Sequence, residues 1–139
     1  MSAKLMEYFN KQPRLGTLST SSKDGKVDVA IFGSPHMIDE KTVVMATAKN
    51  RTLANLQENP YAVFMIVEPG KTIMEWKGVR VYLKMNECST SGELIDTVRT
   101  QTAKFVGESA AKMLYAAVAF EVGEVRPLVD FGQGWEQSI

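Results

Sequence analysis

The sequence predicts a mainly β fold, a small antiparallel barrel with peripheral helices. About six stretches have the length and composition of strands, against about three with helical spacing, and the strands follow one another in hairpin fashion. Residues 61–67 are almost wholly apolar, so that strand should be covered on both faces, whereas a small sheet exposed on one side would alternate. Closure into a barrel removes the exposed edges that such a strand set would otherwise leave.

Residues 2–10 read as a short amphipathic helix, with Ser2 as cap, Leu5, Met6 and Phe9 on one face, and Pro13 ending it. Residues 14–21 alternate Leu15, Thr17 and Ser19 against Gly16, Leu18 and Thr20. The turn Lys23-Asp24-Gly25-Lys26 then leads into Val27, Val29 and Ile31 against Asp28, Ala30 and Phe32. Gly33-Ser34-Pro35 interrupts this second strand, because proline gives no ladder hydrogen bond, and residues 36–38 resume an extended pattern. After the turn Asp39-Glu40-Lys41, the run Val43-Val44-Met45-Ala46 has strand character. Asn50 or Thr52 caps a short helix that places Leu53 and Leu56 on one face and stops at Asn59-Pro60. Pro69-Gly70-Lys71 turns the chain after residues 61–67; residues 73–76 fit neither period, and residues 78–85 alternate Val79, Val81 and Leu83 with Arg80, Tyr82 and Lys84. Ser91 caps a helix running to Val106, with Leu94, Ile95, Val98, Thr102 and Phe105 on its buried face, Glu93 and Asp96 in its first turn, and Gly107 at its end. Residues 113–122 form the last long strand, followed by a tail in which Trp135 either closes a site or packs on the barrel.

A chain of 139 residues is expected to form one domain over its whole length and to bury about two-thirds of its unfolded surface. Its single cysteine, Cys88, excludes an internal disulfide and reads as an ordinary half-buried thiol. The Met1 end has no apolar run of signal or membrane-span length, so a cytoplasmic protein is expected. Sixteen basic residues balance sixteen acidic ones, which argues against nucleic acid or an anionic membrane as partner. His36 is the only histidine, so no zinc cluster of the usual ligands is expected, and no Walker, G-x-G-x-x-G or G-x-S-x-G motif occurs. His36 could donate a proton, although a lone histidine after a proline is more often surface or satisfied core. Redox chemistry, if present, must be carried by a bound cofactor.

The residues themselves offer one binding hypothesis. Lys49 and Arg51 flank the start of the short helix, where unpaired N–H groups and the helix dipole favour an anion, and a phosphate is the simplest occupant. The alternative is a pair of solvated cations. A barrel this small is filled by its own side chains, so a ligand of cofactor size belongs at its rim or at a subunit interface. The outer face of residues 61–67 could be covered by the helix from Ser91 or by a second subunit.

The stretches Leu15-Gly16-Thr17-Leu18-Ser19-Thr20 with Asp24-Gly25, Ala30-Ile31-Phe32-Gly33-Ser34, and Asn50-Arg51-Thr52 followed by Glu58-Asn59-Pro60 occur in a telling order and spacing. Over residues 5–125 the chain resembles the FMN-binding split barrels related to pyridoxamine 5'-phosphate oxidase. The resemblance implies a six-stranded antiparallel split β-barrel and a homodimer with FMN in its interface. Position by position, it implies that Arg51 and Thr52 grip the phosphate with Asn50 in support. Met45, Ala46 and Thr47 would line the isoalloxazine, and Ala30, Ile31, Phe32, Gly33 and Ser34 would offer backbone groups to the ring edge. Gly78 and Val79 match a position near the flavin from the partner side, where a residue without Cβ lets a planar ring approach. Asp130-Phe131-Gly132-Gln133-Gly134 is similar to the oxidase tail, but the sequence stops at Ile139 before the Arg and His that hold the pyridoxal substrate, so vitamin B6 oxidation is not expected. The implied activity is that of an FMN-dependent oxidoreductase acting on an unknown substrate, with a small molecule or a protein as redox partner. The alternatives are a non-enzymatic flavin-binding or electron-carrying protein, and a split barrel that holds the deazaflavin F420 or haem in place of FMN.

Overall fold

The computed structural model describes residues 3–139, so the expected cap Ser2 lies outside the described residues. In chain order the elements are α1 (Ala3–Asn10), β1 (Gly16–Ser21), β2 (Val27–Ile31), β3 (His36–Asp39), β4 (Thr42–Thr47), α2 (Arg51–Glu58), β5 (Tyr61–Glu68), β6 (Lys77–Ser89), α3 (Glu93–Val106), α4 (Glu108–Ala111) and β7 (Ala116–Pro127). Short 3₁₀ turns occupy Ile73–Glu75 and Trp135–Ser138. The strands form one antiparallel sheet in the order β2-β1-β5-β6-β7-β4-β3. It has seven strands rather than the expected six. Gly33-Ser34-Pro35 does not merely interrupt β2 but ends it, and His36–Asp39 pairs with β4 as a separate hairpin. The two edges of the sheet, β2 and β3, are neighbours in sequence that do not pair, which is what splits the barrel.

β6 and β7 carry the curvature. β6 pairs with β5 along one edge and with β7 along the other, and the β6–β7 register shifts twice, between Val81 and Leu83 and between Met85 and Glu87. Such irregularities bend a strand and raise its twist, which lets one sheet coil around a core. Inside lie Leu18, Phe64, Ile66, Val79, Val81 and Phe120, and α1 plugs one end with Leu5 and Phe9. Trp135 and Ile139 are half-buried against the same core, so the tail packs on the barrel through Trp135, while Phe131 stays exposed. The tail is tied back by Asp130, which accepts from Arg80 Nη2 at 2.8 Å and from Arg126 Nε and Nη2 at 2.9 and 2.8 Å.

A second cluster joins Ile95 and Val98 of α3 to Val44, Ala46, Ala117 and Ala119 on the outer face of β4 and β7. The helix therefore covers β4 and β7, not β5. Within this chain β5 alternates, with Ala62, Phe64 and Ile66 buried and Tyr61 61% exposed, so its apolar run is not covered on both faces. The apolar side of β2 is likewise turned outward: Val27, Val29 and Ile31 are 84, 63 and 73% exposed.

Other elements also differ from the sequence pattern. The N-cap position of α3 is held by Gly92, at φ 101° and with no side-chain cap, rather than by Ser91. Phe105 is exposed, not buried. The last strand begins at Ala116, after α4, and runs on to Pro127. Cys88 is exposed on β6 rather than half-buried, and desolvation of its thiol pushes the pKa up, away from reactive thiolate. Asn50, not Thr52, caps α2.

Gly78 is held at φ 145°, and a Cβ built there would lie 1.9 Å from the carbonyl oxygen of Ile66. The space next to this glycine is thus taken by the neighbouring strand of the same chain, a different reason from the approach of a planar ring. Gly78→Ala should lower stability by about 3 kcal/mol or more, since it combines a strained φ with a backbone clash. At Gly123 the nearest atom to a built Cβ is 3.6 Å away, and Gly123→Ala should cost no more than about 1 kcal/mol. Urea midpoints of the two variants check this, and equal midpoints would show that β5 and β6 can part to admit the methyl group.

Candidate functional site

The two edges of the split sheet are treated differently. At β3, Asn10 of α1 closes the ladder: its Nδ2 donates to Met37 O at 2.9 Å and its Oδ1 accepts from Met37 N–H at 2.8 Å. β2 has no such cover among the described residues. Phe32 N–H donates to Gly16 O at 3.1 Å, so the antiparallel alternation leaves the main-chain groups of Val27, Val29 and Ile31 on the free side of the strand.

The link from β2 to β3 is pinned from two sides. Ser34 Oγ donates to Ala46 O of β4 at 2.9 Å. Arg14 donates from Nη2 to Gly33 O at 3.0 Å and from Nη1 to Phe9 O at 2.7 Å, and its guanidinium lies 5.3 and 5.0 Å from the ring centroids of Phe9 and Phe64. Burial pulls Arg14 down to about 10, which leaves it charged at neutral pH.

Beside this link opens a cleft of about 590 Å³, within the range of small-molecule sites. Residues 30–36 form one wall, β4 and its exit turn contribute Val44, Ala46, Thr47, Ala48 and Asn50, and α3 faces them with Val98, Gln101, Thr102, Phe105 and Val106. None of the lining residues is Lys, Arg, Asp or Glu. His36 stands in the wall, and desolvation first and the charge of Arg14 second hold its imidazole below the usual 6.5, so it is neutral at physiological pH.

Asn50 belongs to this cleft and also to an adjoining shallow groove lined by Ser22, Lys26, Asp28, Arg51 and Asn55. Its Oδ1 accepts from Leu53 N–H at 3.1 Å and its Nδ2 donates to Thr47 Oγ1 at 2.9 Å. This cap satisfies the third N–H of α2 and leaves those of Arg51 and Thr52 without a partner among the described residues. The Arg51 side chain is exposed and makes no ion pair or hydrogen bond with the described residues. Asn55 Nδ2 donates to Thr20 Oγ1 at 3.0 Å in the interior, anchoring α2 on β1.

The structure brings Ala30, Ile31, Phe32, Gly33, Ser34, Ala46, Thr47 and Asn50 together around the cleft, with Arg51 in the groove beside it. Thr52 is buried in the first turn of α2, and the Met45 side chain points into the barrel core, away from Val44 and Ala46. Lys49 lines neither the cleft nor the groove, and its Nζ stands 5.6 Å from the ring centroid of Tyr115. Gly78 and Val79 lie on β6, outside the cleft lining, and Val79 is wholly buried. Sequence reasoning missed the α3 wall. Its signal was the position of Thr102 and Phe105 on a helical stripe, which reads as core unless the length of the supporting sheet is known.

A family model described as pyridoxamine 5'-phosphate oxidase matches residues 2–128. An FMN-binding protein from Syntrophomonas wolfei superposes with a TM-score of 0.74 at 23% identity, covering 91% of this chain and 84% of that one. HutZ, the haem storage protein of Vibrio cholerae, gives a TM-score of 0.64 at 18% identity, covering 88% of this chain and 92% of that one. An F420 reductase gives 0.63 at 13% identity, covering 86 and 94%. At these identities the likeness shows the fold alone. No curated protein matches the sequence.

With one histidine in the sequence, a proton NMR titration reads His36 directly, and its midpoint should fall below 6.5. Between the folded value and the unfolded one the unfolded chain binds more protons, so this group's contribution to stability rises with pH in that window and is lost as pH falls through the folded value. A midpoint at or above 6.5 would mean that neither burial nor Arg14 acts on the ring.

Proposed function

The chain belongs to the pyridoxamine 5'-phosphate oxidase family, and from that premise we propose that it is a flavin-binding oxidoreductase that holds FMN along the split of its barrel. The observation that carries this reading is the junction at Asn50. One side chain borders both an uncharged cleft fit for a ring system and a helix start with two unpartnered N–H groups and the free cation Arg51, fit for a phosphate. FMN has this bipartite character. The name of the Syntrophomonas wolfei neighbour, an FMN-binding protein, supports the choice.

Each part of the chain has a role in this reading. Arg51 binds the phosphate as a planar fork, with the N–H groups of Arg51 and Thr52 behind it. Ala46 and Thr47 form the surface against which the ring lies, and the unpaired main-chain groups at the β2 edge orient its polar rim. The α3 wall excludes water. When bound, the flavin supplies the capacity to accept and return a hydride or single electrons. The reaction acts on an unidentified substrate.

The site is completed, in this proposal, by a second copy of the chain. Val27, Val29 and Ile31 of β2, with Tyr61, Val63 and Met65 of β5, give the sheet an apolar outer face that a two-fold interface would cover, closing the site from outside. A second reading places haem in the same cleft. It rests on His36, whose neutral imidazole stands in the wall as an iron ligand would, and on the HutZ likeness. F420 would use the same wall and grip as FMN. The absorption spectrum of the purified protein separates the three.

Arg51→Ala should weaken FMN by about ten- to a hundredfold, since a hydrogen bond to a charged group contributes about 1.5–3 kcal/mol. Riboflavin, with the same ring and no phosphate, should bind the variant as it binds the wild type, and Arg51→Lys should recover only part of the loss. Equal losses for both flavins would mean a folding or ring-contact defect, and no loss for either would take the phosphate away from this turn. In sedimentation the protein should run as a dimer at micromolar concentration and as a monomer once Val29→Lys and Ile31→Lys are introduced. A wild-type monomer with FMN still tightly bound would refute the shared site.

A further inference from the structure

α3 carries more apolar face than the sheet beneath it supports. Leu94, Ile95, Val98, Thr102 and Phe105 recur at the spacing of one helical face, and Ile95 and Val98 are buried against β4 and β7. The next turns run past the edge of that support. Phe105 is 66% exposed and Val106 56%, and both border the cleft. Gly107 then closes the helix, its N–H donating to Ala103 O at 2.9 Å. An apolar stripe that continues beyond its protein cover, over an open cavity, has the form of a binding wall.

The chemistry of that wall restricts what it accepts. No Lys, Arg, Asp or Glu lines the cleft, and His36 is neutral. A ligand carrying charge at this position would lose hydration without gaining a counter-charge. Gln101 and Thr102 stand four and three positions before Phe105 and so share its face. Their side chains bond to none of the described residues, and they offer an amide and a hydroxyl beside an exposed aromatic ring.

We infer that Gln101, Thr102 and Phe105 seat an uncharged planar ring bearing carbonyl or hydroxyl groups, a compound of the quinone class, facing the flavin on the strand wall. The inference deepens the flavin assignment and rests on it. Phe105 stacks on the ring, and Gln101 and Thr102 bond its rim oxygens. The lack of any cation in the cleft rejects phosphorylated and carboxylated compounds of similar size.

Two soluble probes that differ in charge test it: 2-(hydroxymethyl)anthraquinone, which is neutral, and anthraquinone-2-sulfonate. Both are titrated into the FMN-loaded protein and followed by saturation-transfer NMR. The neutral probe should bind about tenfold or more tighter than the sulfonate, and Phe105→Ala should weaken it by about tenfold. Phe105→Tyr should restore binding, and every titration is run at saturating FMN, confirmed by its absorption, so that a change in FMN affinity does not enter the comparison. Equal or tighter binding of the sulfonate, no effect of Phe105→Ala, or displacement of FMN by the neutral probe would each overturn the inference while the flavin assignment stands. Failure of the protein to take up FMN at all overturns both.

Discussion

The passage of the chain from β2 to β3 is the constraint on which the rest depends. Pro35 has no N–H to give a ladder, and Ser34 spends its hydroxyl on Ala46 O, so the two edge strands cannot be sewn together and the barrel stays split. Arg14 sets how wide. A hydrogen bond from a charged donor contributes about 1.5–3 kcal/mol, whereas desolvating a cation that no carboxylate pairs costs several kcal/mol, so its two bonds and two ring contacts roughly offset its partial burial. Its effect is positional. It fixes the C-terminal end of α1 against Gly33, and the same charge disfavours a proton on His36. One residue thus braces the mouth of the cleft and adds to the burial that keeps His36 uncharged.

The edges show the same division between what is closed and what is left open. Asn10 closes β3 with two hydrogen bonds to one residue. β2 keeps a bare ladder and turns three β-branched side chains to the outside. Sheets normally blunt such an edge with charge, proline or a covering element. The lysines nearby, Lys23 and Lys26, sit in the hairpin turn and not on the strand, whose one charged residue, Asp28, points to the opposite face from Val27 and Val29. It is this edge and face that the proposed second copy would cover, and a contiguous apolar patch weighs more in that proposal than any exposed residue taken singly.

Much of this was legible in the residues, and the failures have physical causes. The Asn50 cap, the stop at Asn59-Pro60 and the Asp24-Gly25 turn are local chemistry, decided within a few residues, and all stand in the structure. The alternation in β2 was visible too, but a period of two does not say which face is the core; in β2 the apolar face is the outer one. His36–Asp39 was read as a continuation because four residues after a proline carry too little pattern to announce a hairpin. The stripe on α3 was right as a period and wrong as a burial, since where β4 and β7 end beneath it is settled by tertiary packing. Gly78 is the clearest case. Its Cβ would collide with Ile66 O, an atom twelve residues back in the chain whose proximity depends on the β5–β6 register.

The two halves of the site select by different physics and stand on different elements. With equal numbers of acidic and basic residues in the sequence, the protein has no net charge to draw an anion in, and charges separated by more than about 8 Å are screened at physiological ionic strength. In the proposed reading a phosphate at α2 would be recognised by contact, from Arg51 and two N–H groups, and α2 is anchored on β1 through Asn55 and Thr20. A ligand in the cleft would be selected by exclusion of charge and by apolar area, and α3, which supplies that wall, is anchored on β4 and β7. Among the described residues only Asn50 lines both the cleft and the groove. A change in α3 that redraws the cleft therefore need not disturb the helix start. Choice of ring and grip on the anion can then vary separately within one barrel.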